Sequence, residues 1–316
     1  SDKKNHWPGA QALWQKLLVS SDLYKGVYKG LYCVGCEAFI TEKELVDGKC
    51  PNHNIVPEKI EEENYFFRLS KYGPAIQKAI ESRELNIIPE SRAREVLSMM
   101  NEGIHDVSLS RPERDVLWGI PVPNEPQQTM YVWYDALSNY ISALGYGRTD
   151  NENFKRFWPA DMHMIGKDIL RFHAIIWPAI LLSAGIPLPR QIFVHGFITS
   201  GGRKMSKSIG NVIVPNEFIT EFGSESVRYF LAREISPTED GDITREKFTA
   251  AYNANLANGL GNLISRTLQM ATQYFDSVIS EQKGSDTPLK AKLETVSGQG
   301  STEGFSIPYV IHNTIL

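Results

Sequence analysis

The feature that most constrains the fold is a repeated alternation of strand and helix patterns in the middle of the chain. Short apolar runs at 129–133, 162–165 and 191–195 have the length of buried strands, and helical patterns at 135–144 and 168–183 separate them. Strands that alternate with helices in this way are typical of a parallel sheet. The sequence therefore predicts an α/β fold, in which ligands bind beyond the ends of the strands.

Composition narrows the classes of partner. A chain of 316 residues has room for more than one domain, and its net charge of −4 gives no general basic surface for nucleic acid. Any such partner must then be held by local patches. No apolar run reaches the ~18 residues that a membrane span needs, and the polar start is not a secretory signal. We expect no membrane partner, and a location in the cytoplasm or an organellar matrix.

Helical patterns also flank the α/β region. A stripe of Ala10, Leu13 and Leu17 predicts a helix that ends near residue 20. Residues 24–56 are typical of short strands and turns, and from Glu61 onward we predict mostly helix. Further elements are expected over much of 65–84 (helix), 91–101 (helix), 106–110 (strand), 215–222 and 225–234 (helices), and from a cap near Thr244 through 275 (helix).

Three cysteines and one histidine are arranged as two closely spaced pairs. Cys33 and Cys36 form a C-x2-C pair, and Cys50 and His53 form a C-x2-H pair. Each pair can direct two ligands to one point, and four nitrogen or sulfur ligands suit a tetrahedral Zn²⁺. Because no coordination position stays open, the site is predicted to be structural. The alternative is three unrelated thiols and a surface histidine.

A basic glycine loop follows the strand at 191–195. Gly201 and Gly202 are predicted to give a mobile backbone, and Arg203, Lys204 and Lys207 bring three cations within five residues. Lysines act as point charges on phosphate, so the loop can close over a polyanion. The other interpretation is a solvated basic turn, which most lysine-rich turns are.

Two strand-to-helix junctions carry residues suited to a small molecule. The first contains Trp133, Ala136, Leu137 and Tyr140, and the second begins with Gly166-Lys-Asp168. Gly166 allows close approach of a ligand, and Asp168 can accept from ribose hydroxyls. Ile169 and His173 lie on adjacent turns of the second helix, and the two junctions together can form an aromatic pocket for an unbranched or thioether side chain. The alternative is ordinary aromatic core behind a sheet.

Taken together, these residues resemble the methionyl-tRNA synthetases of the bacterial or organellar kind, which are class I aminoacyl-tRNA synthetases. The matching blocks are Lys204-Met-Ser-Lys-Ser208, Val132-Trp-Tyr-Asp-Ala136, Gly166-Lys-Asp-Ile-Leu-Arg-Phe-His173, Trp118-Gly-Ile-Pro-Val-Pro123 and the stretch from Phe248 to Arg266. The spacing of the cysteine pairs is that of the members with one zinc knuckle. The likeness extends over residues 1 to about 275.

The resemblance implies a Rossmann-like catalytic domain that is interrupted by an insertion. The implied segments are the end of the first Rossmann half (1–21), the insertion with the zinc knuckle (22–112), the second Rossmann half (113–200), the signature loop with a stem-contact segment (201–244), and part of an α-helical anticodon-binding bundle (245–316). The implied reaction is activation of methionine by ATP to methionyl-adenylate, followed by transfer to the 3′ end of tRNA(Met). Zn²⁺ is then structural, and ATP enters with Mg²⁺ as a substrate.

The resemblance also implies the role of each matched residue. The methionine pocket comprises Trp133, Ala136, Leu137, Tyr140, Ile169 and His173. Asp168 holds the ribose of ATP with Gly166 beside it, and His195 and Gly196 lie under the adenosine. Lys204 and Lys207 stabilise the pyrophosphate in the transition state, Lys207 more strongly. Leu137 departs from the family, which often has proline there.

A second departure concerns the ends of the chain. The other class I signature, His-Ile-Gly-His, is absent, and the similar letters at Gly103–Asp106 follow the insertion. We expect the missing first half to precede residue 1, a linker at 281–304, and an apolar element at 305–316 that is cut short. An alternative function is therefore a zinc-stabilised tRNA-binding fragment that is not an enzyme as it stands.

Overall fold

The computed structural model describes residues 2–35, 38–40, 42–51, 53–205 and 210–277. The chain divides into two compact units, Ser1–Val194 and His195–Leu316, each with an apolar core of its own. The linker and the final apolar element that the sequence predicts, at 281–304 and 305–316, lie outside the described residues. Within the described part of the chain, no helix combines the length and apolar character required to cross a membrane.

The first unit mixes helices and strands. Its helices are α1 (Trp7–Val19), α2 (Gly73–Glu81), α3 (Glu90–Asn101), α4 (Val132–Ser142), α5 (Glu152–Phe157) and α6 (Trp177–Ala184). Its strands are β1 (Leu23–Cys33), β2 (Ala38–Ile40), β3 (Glu58–Phe67), β4 (Asn86–Ile88), β5 (Val107–Ser108), β6 (Ser110–Pro112), β7 (Pro121–Val122), β8 (Glu125–Met130), β9 (His163–Gly166) and β10 (Gln191–His195). The predictions of α1, α3 and β10 are confirmed.

Of the three predicted strands, two lie in a three-stranded sheet with the order β4-β10-β9. The first does not, since β8 pairs antiparallel with β6 and β7 in a separate sheet. Strand β10 pairs in parallel with β4, and Ile192 stands opposite Ile87. Both of these isoleucines are buried in the core of the unit. The sequence prediction missed β4, because its three residues stand inside a stretch with helical composition. The chain enters the second unit at the end of β10.

The segment predicted to be an insertion contains an antiparallel sheet with the order β2-β1-β3-β5. Strands β1 and β3 pair along their length, from Leu23 opposite Phe67 to Tyr32 opposite Glu58. The prediction of helix from Glu61 onward is wrong here, since Glu61 to Asn64 belong to β3. A 3-10 turn follows at Leu69–Tyr72, and α-helix begins at Gly73. Glutamates favour helices, but pairing with a long aromatic strand outweighs that local preference.

The region around the two junctions also differs from prediction. Strand β8 ends at Met130 and α4 begins at Val132, so Trp133 is helical rather than the last residue of a strand. The helix predicted at 168–183 is helical throughout, from Lys167 to Ala184, but its type changes: it begins as a 3-10 turn (Lys167–Ile169), widens to a π-helical segment (Phe172–Ile176) and ends as α6. Wider turns of this kind often occur at functional sites in helices.

Helix α1 holds α4 in position through aromatic packing. Trp14 is fully buried and meets Tyr134 edge-on, with ring centroids 5.2 Å apart. The Tyr134 hydroxyl donates to the carbonyl of Ala10 at 3.0 Å. Gly9 allows the close approach, because a Cβ there would lie 2.5 Å from Cβ of Ser142. These contacts fix the helix on which Trp133 and Tyr140 stand.

The second unit contains a small sheet and a run of helices. Its strands are β11 (Ile198–Ser200), β12 (Arg203–Lys204) and β13 (Gly241–Asp242); its helices are α7 (Pro215–Phe222), α8 (Ser224–Glu234), α9 (Arg245–Ala251), a π-helical segment (Tyr252–Gly261) and α10 (Asn262–Phe275). The predicted cap is confirmed, since the side chain of Thr244 accepts from the backbone N–H of Lys247 at 3.2 Å. Phe248 is the fully buried centre of the core.

Candidate active site

A partly buried hydrogen-bonded chain joins the two predicted junctions of the first unit. The Tyr140 hydroxyl lies 2.9 Å from Nε2 of His173, and Nδ1 of His173 lies 2.9 Å from the carbonyl oxygen of Ile169. A carbonyl oxygen can only accept, so Nδ1 carries the proton. In the neutral ring Nε2 then accepts from Tyr140. The Ile169 carbonyl therefore determines which atom donates in both hydrogen bonds: Nδ1 of His173 donates to Ile169, and the Tyr140 hydroxyl donates to Nε2.

Burial keeps the His173 ring neutral. His173 is 3 % exposed, and this burial lowers its pKa, although the hydrogen bond to the Ile169 carbonyl opposes the shift. Burial also raises the pKa of the Tyr140 hydroxyl. Both side chains are thus uncharged at neutral pH, and they present a polar but neutral edge to whatever lies beside them.

Further aromatic rings surround Tyr140 and His173. We call the group the ring cluster (Trp133, Tyr140, His163, Phe172, His173 and Trp177). Trp133 stacks on Phe172 with centroids 3.9 Å apart and an interplanar angle of 11°. It also meets His173 edge-on at 6.4 Å. The geometry therefore brings together four of the six residues predicted for a small-molecule pocket: Trp133, Tyr140, Ile169 and His173. The other two, Ala136 and Leu137, lie on the same helix; Ala136 is exposed and Leu137 is buried.

His163 belongs to the ring cluster although sequence reasoning missed it. Its ring centroid is 4.1 Å from that of Tyr140, and its Nε2 accepts from the indole N–H of Trp177 at 3.3 Å. Burial, and to a lesser extent the nearby His173, lowers its pKa to about 4. The signal that could have found it is the alternation in β9, where His163 and Ile165 are buried and Met164 is exposed.

A cavity of about 320 Å³ also opens in the first unit. Its lining includes Tyr32, Glu62, Arg111, Tyr131 and Val132. Arg111 is 6 % exposed, its guanidinium lies 4.4 Å from the centroid of the Tyr131 ring, and burial lowers its pKa. Because Val132 immediately precedes Trp133, this cavity reaches the start of the helix that carries the ring cluster.

The predicted ATP residues are distributed over the two units. In the first, Gly166 ends β9, and Asp168 stands in the exposed 3-10 turn that follows. In the second, His195 is exposed and its Nδ1 donates to the carbonyl of Gly196 at 2.8 Å. Gly196 is buried, and a Cβ there would lie 2.1 Å from the carbonyl oxygen of Glu239. Only glycine fits at this position.

The basic loop begins as a hairpin, which we call the signature hairpin (residues 198–204). Strands β11 and β12 pair with Ser200 opposite Arg203. Gly201 and Gly202 between them have φ values of 63° and 73°, the left-handed conformation of a tight two-residue turn. Both glycines are thus needed for the turn, and the mobility of their backbone stays a prediction. Lys207 lies outside the described residues.

The two charged side chains of the signature hairpin, Arg203 and Lys204, are exposed. Nζ of Lys204 lies 4.7 Å from the centroid of the Phe197 ring. Asp242 accepts from the backbone N–H of Gly202 at 2.8 Å and from the hydroxyl of Thr199 at 2.9 Å. Hydrogen bonds from Gly202, Lys247 and Thr199 lower the pKa of Asp242 to about 2. This carboxylate is therefore ionised at every physiological pH.

Three of the four predicted metal ligands converge near the end of β1. The ligand atoms of Cys33, Cys50 and His53 all lie within 4.8 Å of one another, and both sulfurs are 3.9 Å from Nδ1 of His53. Tetrahedral Zn²⁺ places such atoms about 3.6 Å apart. A Cβ on Gly35 would lie 2.6 Å from Cγ of His53, so this glycine makes room for the imidazole. Cys36 lies outside the described residues.

The chain is similar to known proteins over most of its length. The profile of the family described as "tRNA synthetases class I (M)" matches residues 1–58 and 52–268. The methionine–tRNA ligase of Caldanaerobacter subterraneus subsp. tengcongensis is 49 % identical over 269 residues, which are 85 % of this chain and 42 % of that protein. The ligase of Clostridium acetobutylicum is 47 % identical over 277 residues, 87 % of this chain and 43 % of that protein.

The chain is also similar to solved structures of methionyl-tRNA synthetases. Methionyl-tRNA synthetase of Mycobacterium tuberculosis in complex with methionyl-adenylate is similar with a TM-score of 0.86 and 40 % identity, over 98 % of this chain and 62 % of that chain. Its apo form is similar with a TM-score of 0.82 and 38 % identity, over 99 % and 63 %. The present chain thus spans about half the length of the curated relatives it matches. It belongs to the family of class I tRNA synthetases (M), with the α/β fold of the methionyl-tRNA synthetases.

Proposed function

We propose that the chain forms a large part of a methionine–tRNA ligase. Such an enzyme activates L-methionine with ATP to methionyl-adenylate, releases pyrophosphate, and transfers the methionyl group to the 3′ end of tRNA(Met). The observation that carries the proposal is the similarity to the methionyl-tRNA synthetase whose structure holds methionyl-adenylate, at a TM-score of 0.86 over 98 % of this chain. The proposed location is the compartment of translation, the cytoplasm or an organelle matrix.

The ring cluster supports methionine as the amino acid. Its neutral rings offer a large polarisable surface, and thioether sulfur makes favourable contacts with aromatic edges. We assign the pocket to Trp133, Ala136, Leu137, Tyr140, Ile169 and His173. Burial keeps the side chains of Tyr140 and His173 neutral, so the hydrogen-bonded chain presents no ionised group. A charged or strongly polar amino-acid side chain would lose its hydration there without compensation.

For the nucleotide, we assign the ribose of ATP to Asp168 beside Gly166, and the adenosine to His195 and Gly196. Lys204 and Lys207 then stabilise the charge that develops on pyrophosphate as it leaves. Cations held in position for a transition state lower its free energy without any proton transfer. Mg²⁺ accompanies ATP as part of the substrate.

The residues of the insertion fit a structural Zn²⁺. We propose Cys33, Cys36, Cys50 and His53 as its ligands, on the basis of the sulfur–nitrogen distances of 3.9 Å. Bound there, the ion would cross-link the ends of β1 and the turn that contains Cys50. Elemental analysis of protein purified without chelator should find about one zinc per chain. Gly35→Ala should lower that content, since its Cβ would displace the His53 ring, and a zinc-free wild type would contradict the site.

The alternative of a tRNA-binding fragment without catalysis is less well supported. The relatives in question are all named for the ligase activity. We retain tRNA(Met) as the proposed macromolecular partner. The division into an insertion at 22–112, a second Rossmann half at 113–200, a stem-contact segment to residue 244 and a helical domain from residue 245 remains part of this proposal.

The test is pyrophosphate exchange into ATP by the full-length protein that contains this chain, with each of the twenty amino acids in turn. Methionine should support exchange, and leucine, isoleucine and cysteine should not. Exchange that depends on another amino acid would overturn the assignment of substrate. No exchange from a folded protein with its zinc in place would overturn the proposed activity.

A further inference from the structure

One carboxylate in the second unit accepts from two other segments, the signature hairpin and the first turn of α9. Asp242 is the last residue of β13, which pairs in parallel with β11. Its Oδ1 accepts from the N–H of Gly202 at 2.8 Å and from the hydroxyl of Thr199 at 2.9 Å. Its Oδ2 accepts from Nζ of Lys247, in the first turn of α9, at 2.7 Å. The two oxygens thus bind different parts of the chain.

Each of these contacts reaches the signature hairpin or the start of a helix. Gly202 is the second residue of the left-handed turn, and Thr199 stands opposite Lys204 in the hairpin register. The backbone N–H of Lys247 donates to the side chain of the N-cap residue Thr244. Lys247 therefore lies at the beginning of the helical run that extends from Arg245 to Phe275. A backbone hydrogen bond reinforces the connection, from Ile243 N–H to the Thr199 carbonyl at 3.0 Å.

We propose that Asp242 is a positioning residue: it fixes the turn that presents Lys204 and ties that turn to the first turn of α9. Hydrogen bonds to an ionised acceptor are stronger than neutral ones, and two of the three donors come from the hairpin itself. The side chain of Asp242 is 19 % exposed, so water can replace these donors only in part. The consequence for catalysis rests on the proposed function, but the structural connection does not.

Asp240 provides a matched control for this proposal. It is an aspartate two positions away whose carboxylate also accepts from a backbone N–H, that of Phe197 at 2.9 Å. Its loss should affect Phe197 and leave the turn at Gly202 intact. Asp242→Asn provides a conservative variant, because an amide oxygen can still accept from Gly202 while the charge opposite Lys247 is lost.

The first measurement is amide hydrogen exchange at Gly202 in the present chain. Asp242→Ala should accelerate this exchange about ten-fold, Asp242→Asn should accelerate it less, and Asp240→Ala should leave it unchanged. Lys247→Ala should also accelerate it, by a smaller factor, because the carboxylate loses its link to α9. Unchanged exchange in Asp242→Ala or Asp242→Asn would overturn the proposal, as would equal acceleration in Asp240→Ala.

The second measurement is pyrophosphate exchange by the full-length protein. Asp242→Ala should lower kcat about ten-fold at an unchanged KM for methionine, and Asp242→Asn should recover most of the loss. A carboxylate that merely stabilises the fold would leave kcat per folded molecule as in the wild type, and that result would overturn the role in positioning. A wild type without activity would contradict the proposed function instead, and hydrogen exchange at Gly202 would then decide on Asp242.

Discussion

The ring cluster and the signature hairpin are held in place by opposite means. The ring cluster is buried at His163, His173 and Trp177 and half-buried at its other rings. Its histidines are neutral, and one hydrogen-bonded chain runs through it to the carbonyl of Ile169. The signature hairpin is exposed, carries Arg203 and Lys204, and depends on the ionised carboxylate of Asp242. Burial orders the first, and charge-assisted hydrogen bonds order the second.

This difference corresponds to the two tasks of the proposed reaction. Selection of an uncharged side chain needs a dry surface with no ionised group, because any charge there would cost desolvation free energy. Stabilisation of a departing pyrophosphate needs cations that remain charged and can approach the ligand from solvent. We therefore expect substitutions in the ring cluster to change stability and amino-acid binding, and substitutions in the signature hairpin to change the rate.

The largest effect is expected at the signature hairpin. Lys204→Ala should lower the rate of methionine activation by about 10²-fold, because a positioned cation is lost from the transition state. The unfolding free energy of the first unit should not change, since Lys204 is exposed in the second unit. Rapid-quench measurement of methionyl-adenylate formation checks the rate. Lys155→Ala, which removes an exposed lysine of α5, is the control, and a loss of only a few-fold in Lys204→Ala would contradict the role.

A pH dependence is the next largest effect, and it comes from His163. Its pKa is about 4 in the folded state, below the ordinary value of 6.5, so the unfolded chain binds more protons between these values. Stability conferred by the neutral ring is therefore present above pH 6.5 and is lost as the pH falls towards 4. Between pH 7 and pH 5 the first unit should lose about 2 kcal/mol from this residue.

Urea unfolding followed by tryptophan fluorescence measures this loss, because all six tryptophans lie in the first unit. His163→Gln can still accept from Trp177 but does not titrate, so its loss of stability between the two pH values should be about 2 kcal/mol smaller. His105→Gln, at an exposed histidine, should behave as the wild type does. Equal pH dependence in His163→Gln and the wild type would show that burial does not keep this ring neutral.

The smallest effect is expected from removal of one hydroxyl in the ring cluster. Tyr140→Phe leaves Nε2 of His173 buried without its donor, which should cost about 1 kcal/mol of unfolding free energy. The same fluorescence-detected urea unfolding at pH 7 is the check. Tyr274→Phe, at an exposed tyrosine of α10, should have no effect. If the two variants were equally stable, the chain from Tyr140 to Ile169 would not contribute to order in the ring cluster.

Much of this architecture could be predicted from the sequence, because several local patterns agreed with the final packing. Helices α1 and α3 and strand β10 follow their apolar periodicity closely, and Thr244 caps its helix as a threonine in that position should. Of the residues assigned to methionine, Trp133, Tyr140, Ile169 and His173 are brought together by the fold.

What could not be predicted depends on partners distant in sequence. The acidic residues of β3 have helical preference, and only pairing with β1 makes them a strand. His163 has no neighbouring motif, and its place beside Tyr140 and Trp177 arises from packing of β9 against helical residues. Asp242 stands forty residues beyond Gly202, and no local pattern indicates their hydrogen bond. Such contacts are properties of the fold rather than of a segment.

The most direct test of the contrast is a steady-state comparison of Tyr140→Phe and Lys204→Ala in methionine-dependent pyrophosphate exchange. If the ring cluster selects and the signature hairpin accelerates, Tyr140→Phe should raise KM for methionine roughly five-fold with kcat within two-fold of the wild type. Lys204→Ala should lower kcat about 10²-fold with little change in that KM. Changes in the same kinetic parameter for both variants would contradict the assignment of separate tasks to the two regions.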